Sequence, residues 1–122
     1  MAVAKVTATG ELDTSFGEDG WGMATSATAE TSANDMLLLP NQTLLLVGSW
    51  TADAVTEAAA ARVDLSGQLD PYFGEGGFYH QVIGTGGDDN FASAALQPDG
   101  KVVAAGWSKN ANLDALLVRL GW

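Results

Sequence analysis

A twelve-residue motif that occurs twice constrains the fold of this chain more than any other feature. The first copy runs from Gly10 to Trp21 and the second from Gly67 to Phe78, so the offset between the copies is 57. Seven of the twelve positions are identical, and a repeat of this length predicts a chain built from repeated supersecondary units. The shared pattern, Gly-x-Leu-Asp-x-x-Phe-Gly, comprises Gly10, Leu12, Asp13, Phe16 and Gly17 in the first copy and Gly67, Leu69, Asp70, Phe73 and Gly74 in the second.

A short segment with one basic residue precedes each motif and occurs a third time near the end of the chain. The copies are Ala2–Thr7, Ala59–Asp64 and Leu116–Leu120, which place Lys5, Arg62 and Arg119 at the same offset as the motif. Propensity favours a helix over Thr56–Arg62, because of its four consecutive alanines. The sister copies carry Val and Leu at alternating positions, so the repeat predicts strands in all three places.

Each repeat is predicted to contain three further strands. Polar stretches at residues 29–34 and 84–90 separate some of them, and tight turns separate others. The predicted strands are Trp21–Ala27, Asp35–Leu39 and Leu44–Val47 in the first repeat and Phe78–Ile83, Phe91–Gln97 and Lys101–Ala105 in the second, with the last of each set ending at Gly48 or Gly106.

A proline turn is expected between the last two of these strands. Pro98 has a fixed φ and Gly100 tolerates a positive φ, as a short hairpin connection requires. The sister turn, Leu39–Gln42, keeps the proline but has no glycine, so we expect it to be looser.

The repeat length and the strand pattern together favour β-propeller blades. Four strands in about 57 residues, with glycine and aromatic residues between them, are typical of such blades. Continuous apolar runs favour sheets that are covered on both faces, whereas the alternative, a two-sheet sandwich, needs no such regular spacing. We predict an all-β fold of four-stranded antiparallel propeller blades in one unit, residues 1–122, with repeats at 2–58 and 59–113 and the start of a third at 114–122.

Three linked segments, two in the second repeat and one at the start of the third, resemble the bacterial delta-60 repeat, a family of propeller-type repeats found in large, mostly exported proteins. The segments are Gly67–Phe78, Ala95–Gly106 and Leu116–Leu120. The first repeat departs from the family in its Leu39–Gln42 turn. The resemblance implies a propeller fold and a repeat scaffold, and it implies no catalytic residues.

The order of the predicted strands implies an incomplete propeller. The chain supplies the third and fourth strands of one blade, a complete blade and the first three strands of another, whereas known propellers close with about four to eight blades. We therefore expect identical chains to form a closed ring of three or four copies, in which the N-terminal strands of one chain complete the C-terminal blade of its neighbour. One copy of the basic strand is then superfluous. A fragment of a longer array is the alternative.

The charge of the chain argues against several classes of partner. Fifteen acidic and five basic residues give a net charge of −10, and the chain lacks the clustered Lys and Arg that bind nucleic acid or an anionic membrane.

The chain has no cysteine, and no apolar run approaches the roughly 20 residues of a membrane helix. The first residues lack the pattern of a signal peptide, so we expect a soluble chain, whether or not its parent protein is exported.

No cluster of side chains predicts catalysis, a metal site or a cofactor. His80 is the single histidine, and no Gly-x-Ser-x-Gly sequence exposes a nucleophile. The glycine-rich residues 84–87 lack the lysine and the helix of a phosphate site. Asp88, Asp89 and Asn90 offer oxygen ligands, but they lack the alternating spacing of a calcium loop.

The repeated aspartates and aromatic residues of the motif are expected to be structural. Asp13 and Asp70 should accept hydrogen bonds from backbone N–H groups just ahead of them and pair with the basic residue of the preceding strand. The aromatic side chains expected to wedge into the core are Phe16, Trp21, Phe73 and Phe78.

Two further tryptophans, Trp50 and Trp107, are separated by the same offset and follow the glycines that are predicted to end strands. We expect them to cover the seam between neighbouring blades. The alternative is a carbohydrate site, because an aromatic ring rimmed with hydrogen-bonding groups such as Ser108 and Asn110 fits the face of a sugar.

Together these patterns predict a non-enzymatic propeller-repeat protein that forms a homo-oligomeric ring and serves as a structural or binding scaffold. A lectin-like module that binds carbohydrate through loop residues is the alternative. Its site would contain Trp50, Trp107, Ser108 and Asn110.

Overall fold

The computed structural model describes residues 1–121, which contain nine β-strands joined by turns and loops. Trp122, the last residue of the predicted third repeat, lies outside the described residues. Within residues 1–121 no helix is long and apolar enough to cross a membrane. The strands are β1 (Ala2–Ala4), β2 (Trp21–Met23), β3 (Glu30–Leu38), β4 (Thr43–Ala52), β5 (Val55–Asp64), β6 (Phe78–Gln81), β7 (Asp89–Leu96), β8 (Val102–Lys109) and β9 (Leu113–Leu120).

The strands form three antiparallel sheets in which neighbours in space are neighbours in the chain. Sheet I contains β1 and β2, sheet II contains β3 to β6, and sheet III contains β7, β8 and β9. The prediction of an all-β, antiparallel fold is therefore confirmed. Residues 1–121 do not form a closed ring of blades.

The alanine-rich segment is a strand, as the repeat predicted, and not the helix that propensity favours. Ala58 to Ala61 pair with β4 on one side and β6 on the other. All four are fully buried, because neighbouring sheets pack against both faces of β5. Tertiary packing and pairing decide the conformation here and override a weak local preference.

Several predicted strand boundaries are wrong. β3 begins inside the predicted polar stretch, β1 ends at Ala4, and β4 and β8 continue beyond Gly48 and Gly106. Both glycines lie beside β-bulges of the neighbouring strand. A Cβ at Gly48 would lie 1.9 Å from Ser32 O, and one at Gly106 would lie 1.8 Å from Asn90 O. The glycines therefore mark a close approach of two strands and not a strand end.

The two proline turns have the same backbone hydrogen bonds. Gln42 N donates to Leu39 O at 2.9 Å, and Gly100 N donates to Gln97 O at 3.0 Å. The prediction of a looser first turn is therefore wrong. The difference lies in the backbone, because Gln42 has φ of 61° where Gly100 has φ of 82°, and only glycine adopts such angles without steric strain.

Two hydrophobic clusters hold the three sheets face to face. Sheet II is covered on both faces except behind β3, whereas sheets I and III each bury one face. The cluster between sheets I and II includes Val3, Leu46, Ala59, Val63 and Phe78. The cluster between sheets II and III includes Leu45, Val47, Ala60, Phe91, Val102 and Leu116.

Candidate assembly surface

The repeated motif ties a basic strand to the strand that follows it. In the second copy, Tyr72 N donates to Asp70 Oδ1 at 3.0 Å, as predicted for this aspartate. The other oxygen, Oδ2, accepts a hydrogen bond from Arg62 Nε at 2.8 Å and lies 2.8 Å from Arg62 Nη2 in an ion pair. The guanidinium carbon also lies 4.9 Å from the ring centroid of Phe73. An ion pair and a cation–π contact thus fix the end of β5 against the motif.

The first copy of the motif holds its basic residue less completely. Lys5 Nζ lies 2.9 Å from Asp13 Oδ2, and Ser15 N donates to Oδ1 at 3.1 Å. The hydrogen bonds from Ser15 and Lys5 lower the pKa of Asp13 to about 2. The Lys5 side chain is 54% exposed, whereas that of Arg62 is 15% exposed. The same position therefore carries a solvated ammonium in one copy and an enclosed guanidinium in the other.

Arg119 occupies the third basic position and contacts no motif aspartate. Its Nε donates to Gln97 Oε1 at 2.7 Å, and its Nη2 donates to Asp99 Oδ2 at 2.5 Å, both in the exposed β7–β8 turn. Arg119 lies opposite Val103 in the β8–β9 pair, on the face of sheet III that is turned away from sheet II. It is thus a half-exposed cation at an uncovered surface.

Each sheet has a forward face, defined as the face that is turned towards the next sheet in chain order, and a rear face opposite to it. The forward face of sheet II is buried against sheet III. The corresponding face of sheet III is open, and Leu117 on it is 72% exposed. The side chains that sheet II buries on its forward face include Leu45, Val47, Ser49, Ala58 and Ala60. The equivalent positions on the forward face of sheet III, none of which is buried, are Val103, Ala105, Trp107, Ala115 and Leu117.

The other end of the stack also exposes apolar side chains. On sheet II, Met36 is 46% and Leu38 is 62% exposed, because the two strands of sheet I do not reach over β3. An apolar cleft of about 290 Å³ lies there, lined by these two residues together with Val3 and Phe16. The chain therefore has an open apolar surface at each end of its stack of sheets.

Trp21 lies on the rear face of sheet I, and the prediction that it wedges into the core is wrong. It is 47% exposed, whereas the other predicted wedges, Phe16, Phe73 and Phe78, are buried. Trp21 pairs with Ala4, on the side of sheet I opposite to Val3. Nothing among residues 1–121 covers that side, which explains the exposure of the ring.

Trp50 and Trp107 lie on opposite faces of their sheets, although the offset between them is that of the motif. Gly48 pairs with Ala59, and Gly106 pairs with Leu116, so these two glycines are equivalent positions at a spacing of 58. Trp107 is therefore equivalent to Ser49, on the forward face, and Trp50 lies on the rear face. The prediction that both rings stand at strand ends is wrong, because each lies inside a strand.

The four residues of the predicted carbohydrate site do not form one solvent-exposed cluster. The Trp50 ring stacks on His80 at a centroid distance of 4.4 Å and packs against the cluster between sheets I and II, where it covers the seam as predicted. Ser108 is buried. Asn110 Oδ1 accepts hydrogen bonds from the backbone N–H groups of Thr85 and Gly86. Trp107 remains open on the forward face, and carbohydrate binding stays a prediction.

Asp89, the first residue of β7, uses its buried carboxylate to order the backbone of the loop before the strand. Asp89 is fully buried, and its Oδ2 accepts hydrogen bonds from Ile83 N at 2.6 Å and Gly84 N at 3.3 Å. In the part of the chain that the structure describes, no three His, Cys, Asp or Glu side chains converge on one point.

A polar contact between β3 and β7 was not indicated by any sequence pattern. Asp35 Oδ2 accepts hydrogen bonds from Ser93 Oγ at 2.7 Å and from Ala94 N at 2.9 Å. These bonds lower the pKa of Asp35, with the Ala94 N–H as the largest cause. The contact joins sheets II and III. It escaped prediction because the β-bulge next to Asp35 sets its direction, and the repeat has serine at the equivalent position.

Comparison with known families supports a propeller repeat in one part of the chain. A family described as "Domain of unknown function (DUF5122) beta-propeller" matches residues 97–121, which include the second proline turn, β8 and β9. No curated protein and no solved structure matches the chain. The family match brings no activity, ligand or partner with it.

Proposed function

We propose that this chain is a propeller-repeat module of the delta-60 type, which assembles with identical copies into a closed ring and serves as a non-enzymatic structural or binding scaffold. The forward face of sheet III carries the proposal, because it exposes the positions that sheet II buries. Burying apolar surface is favourable in proportion to its area, so an open face of this kind favours association.

The stacking rule inside the chain supports a head-to-tail contact between copies. The forward face of sheet I packs on the rear face of sheet II, and the forward face of sheet II packs on the rear face of sheet III. Three surfaces are left over: the forward face of sheet III, the rear face of sheet I around Trp21, and the uncovered rear of sheet II around Met36 and Leu38. A head-to-tail contact forms a ring when its rotation closes. Three or four copies would supply six or eight blades, within the roughly four to eight of known propellers.

The contacts of the motif support a structural role for its charged groups. Asp13 and Asp70 direct one oxygen at a backbone N–H group and the other at a basic side chain of the preceding strand. These contacts connect strands and leave the carboxylates engaged. The net charge of −10 favours solubility of the assembled scaffold.

The test is the size of the assembly in analytical ultracentrifugation, with two aspartate variants. We expect the unmodified chain to sediment as three or four copies and Leu117→Asp to sediment as a folded monomer, since the change places a charge on the forward face. Tyr72→Asp is the control, because Tyr72 is exposed in the loop between β5 and β6 and belongs to no strand of sheet III, and it should assemble normally. A folded monomer for the unmodified chain contradicts the proposal.

A further inference from the structure

We propose that, in the ring, β9 of one chain takes the place of β1 in the next copy, pairs there with β2 and seats Arg119 against Asp13 of that copy. The inference rests on the proposed ring and identifies the strand exchange that joins its members. The occupant of the open edge is thus a second copy of this chain.

The repeat fixes the register of the exchange. In sheet II, Ala59 of β5 lies opposite His80 of β6, and in sheet I, Ala2 of β1 lies opposite Met23 of β2. Leu116 of β9 follows Ala59 at the same offset at which Ala59 follows Ala2. The same register therefore places Leu116 opposite Met23 of the neighbouring copy.

The extent of pairing indicates that β1, and not β9, is the strand that is released in the exchange. β9 pairs with β8 over eight residues, from Leu120 opposite Val102 to Leu113 opposite Lys109. β1 pairs with β2 over three residues, and no described strand pairs with its other edge. Releasing β1 therefore breaks fewer hydrogen bonds than releasing β9. In addition, β9 is paired with β8, and β8 with β7. In the exchange these strands would move with β9 and extend the sheet over Met36 and Leu38 of the neighbouring copy.

Side-chain size also favours the exchange. Leu117 is equivalent to Val3, which is half-buried in the cluster between sheets I and II. The apolar cleft beside Val3 is lined by Met36, Leu38 and Leu44. A leucine at this position reaches further into the cleft than a valine and would remove Leu117 from water. Both effects increase the apolar area that is buried.

Charge complementarity supplies an independent argument. Arg119 stands at the position of Lys5, and Asp13 is the aspartate that faces this position. The guanidinium of Arg62, at the equivalent place in sheet II, makes a hydrogen bond and an ion pair with Asp70 and lies over the ring of Phe73. Phe16 stands at the corresponding position beside Asp13. Asp13 and Phe16 would therefore give Arg119 a site with the same residues that contact the guanidinium of Arg62 in sheet II.

Engineered disulfides test the exchange, since the chain contains no cysteine. The exchange variant carries Met23→Cys with Leu116→Cys. The lock variant carries Ala2→Cys with Met23→Cys, which would bind β1 to β2 within one chain. Ala24 N donates to Met1 O, so the adjacent pair of Ala2 and Met23 is of the non-hydrogen-bonded type, where Cβ atoms lie about 5 Å apart and a disulfide needs little movement.

We expect oxidation of the exchange variant to yield covalent oligomers of up to three or four chains on a denaturing gel without reductant. The oxidised lock variant should be a monomer in light scattering and should assemble again after reduction. If the mutation of Leu116 prevents folding, Trp21→Cys with Val118→Cys probes the same register at the next non-hydrogen-bonded pair.

Two results would overturn the exchange while leaving the ring itself intact. One is an oxidised lock variant that assembles as fully as its reduced form. The other is an exchange variant that has the mass of a ring in solution but gives only single chains on the denaturing gel. A monomeric unmodified chain would instead overturn both the ring and the exchange.

Discussion

The forward faces of sheets II and III use equivalent positions of one repeat but differ in what covers them. In sheet II, Leu45 and Val47 are buried against sheet III. In sheet III, the equivalent Val103 and Ala105 are half-buried and exposed, beside the exposed Leu117. Burial in a repeat protein is thus decided by the next unit as well as by composition, because each unit contacts only its neighbours.

The largest expected effect is the difference in stability between leucine-to-alanine substitutions on these two faces. Leu45→Ala opens a cavity in the core and should lower the free energy of unfolding by about 3 kcal/mol. Leu117→Ala should change that of the isolated chain by less than about 0.5 kcal/mol. Urea unfolding at concentrations where the chain is monomeric measures both values. Equal losses would show that the two faces are equally covered.

Acid should weaken the hydrogen bonds that Asp35 accepts between sheets II and III, and also the contacts of Asp13 in the first copy of the motif. The folded-state pKa of Asp35 is lowered by the Ala94 N–H and the Ser93 hydroxyl, and that of Asp13 is lowered to about 2. Near pH 2 to 4 the unfolded chain therefore binds more protons than the folded chain. Stability should be fully present above the ordinary value of 3.8 and decline as the pH falls towards 2.

Melting temperatures between pH 2 and pH 6 measure this dependence. Asp35→Asn should already be less stable at pH 6 and should lose less than the unmodified chain on acidification, because one of the lowered carboxylates is gone. A variant with an unchanged acid dependence would show that Asp35 contributes nothing to it.

A smaller effect is expected on association, where substitutions of Arg119 and Lys5 should differ. Arg119→Ala should weaken association about tenfold, the equivalent of about 1.4 kcal/mol, because a partly enclosed guanidinium pair is lost. Lys5→Ala should leave association unchanged or strengthen it, since β1 leaves its site in the exchange. Sedimentation across a dilution series compares the two. A larger loss in Lys5→Ala would mean that β1 stays in place.

The smallest effect concerns the two proline turns, which share their hydrogen bonds but differ in one residue. Gln42→Gly should raise the free energy of unfolding by about 0.5 kcal/mol, because glycine relieves the strain at positive φ but adds freedom to the unfolded chain. Gly100→Ala should lower it by about 1 kcal/mol. Thermal unfolding distinguishes the signs. Destabilisation by Gln42→Gly would show that the side chain contributes more than the strain.

The repeat made the class of fold predictable. The alanine-rich β5 would have been assigned to a helix if it had been read alone, and only its sister copies with Val and Leu indicated a strand. The contacts of Asp13 and Asp70 were also predictable, because they are local and depend on the motif itself.

The directions of side chains were less predictable. The connection from Gly48 to Ala59 has one residue more than that from Gly106 to Leu116, and a shift of one residue reverses the face on which a side chain lies. Trp50 and Trp107 therefore look equivalent in the sequence and are not equivalent in the sheets. The exposure of Trp21 depends on which strands pack on sheet I, which is not encoded in the residues around it.

The central claim is that another copy covers the forward face of sheet III, and the molar mass of the unmodified chain in solution tests it most directly. Size-exclusion chromatography with light scattering should give three or four times the chain mass of 12.6 kDa, with a single value across a range of concentrations. A folded monomer of 12.6 kDa at every concentration would contradict the claim.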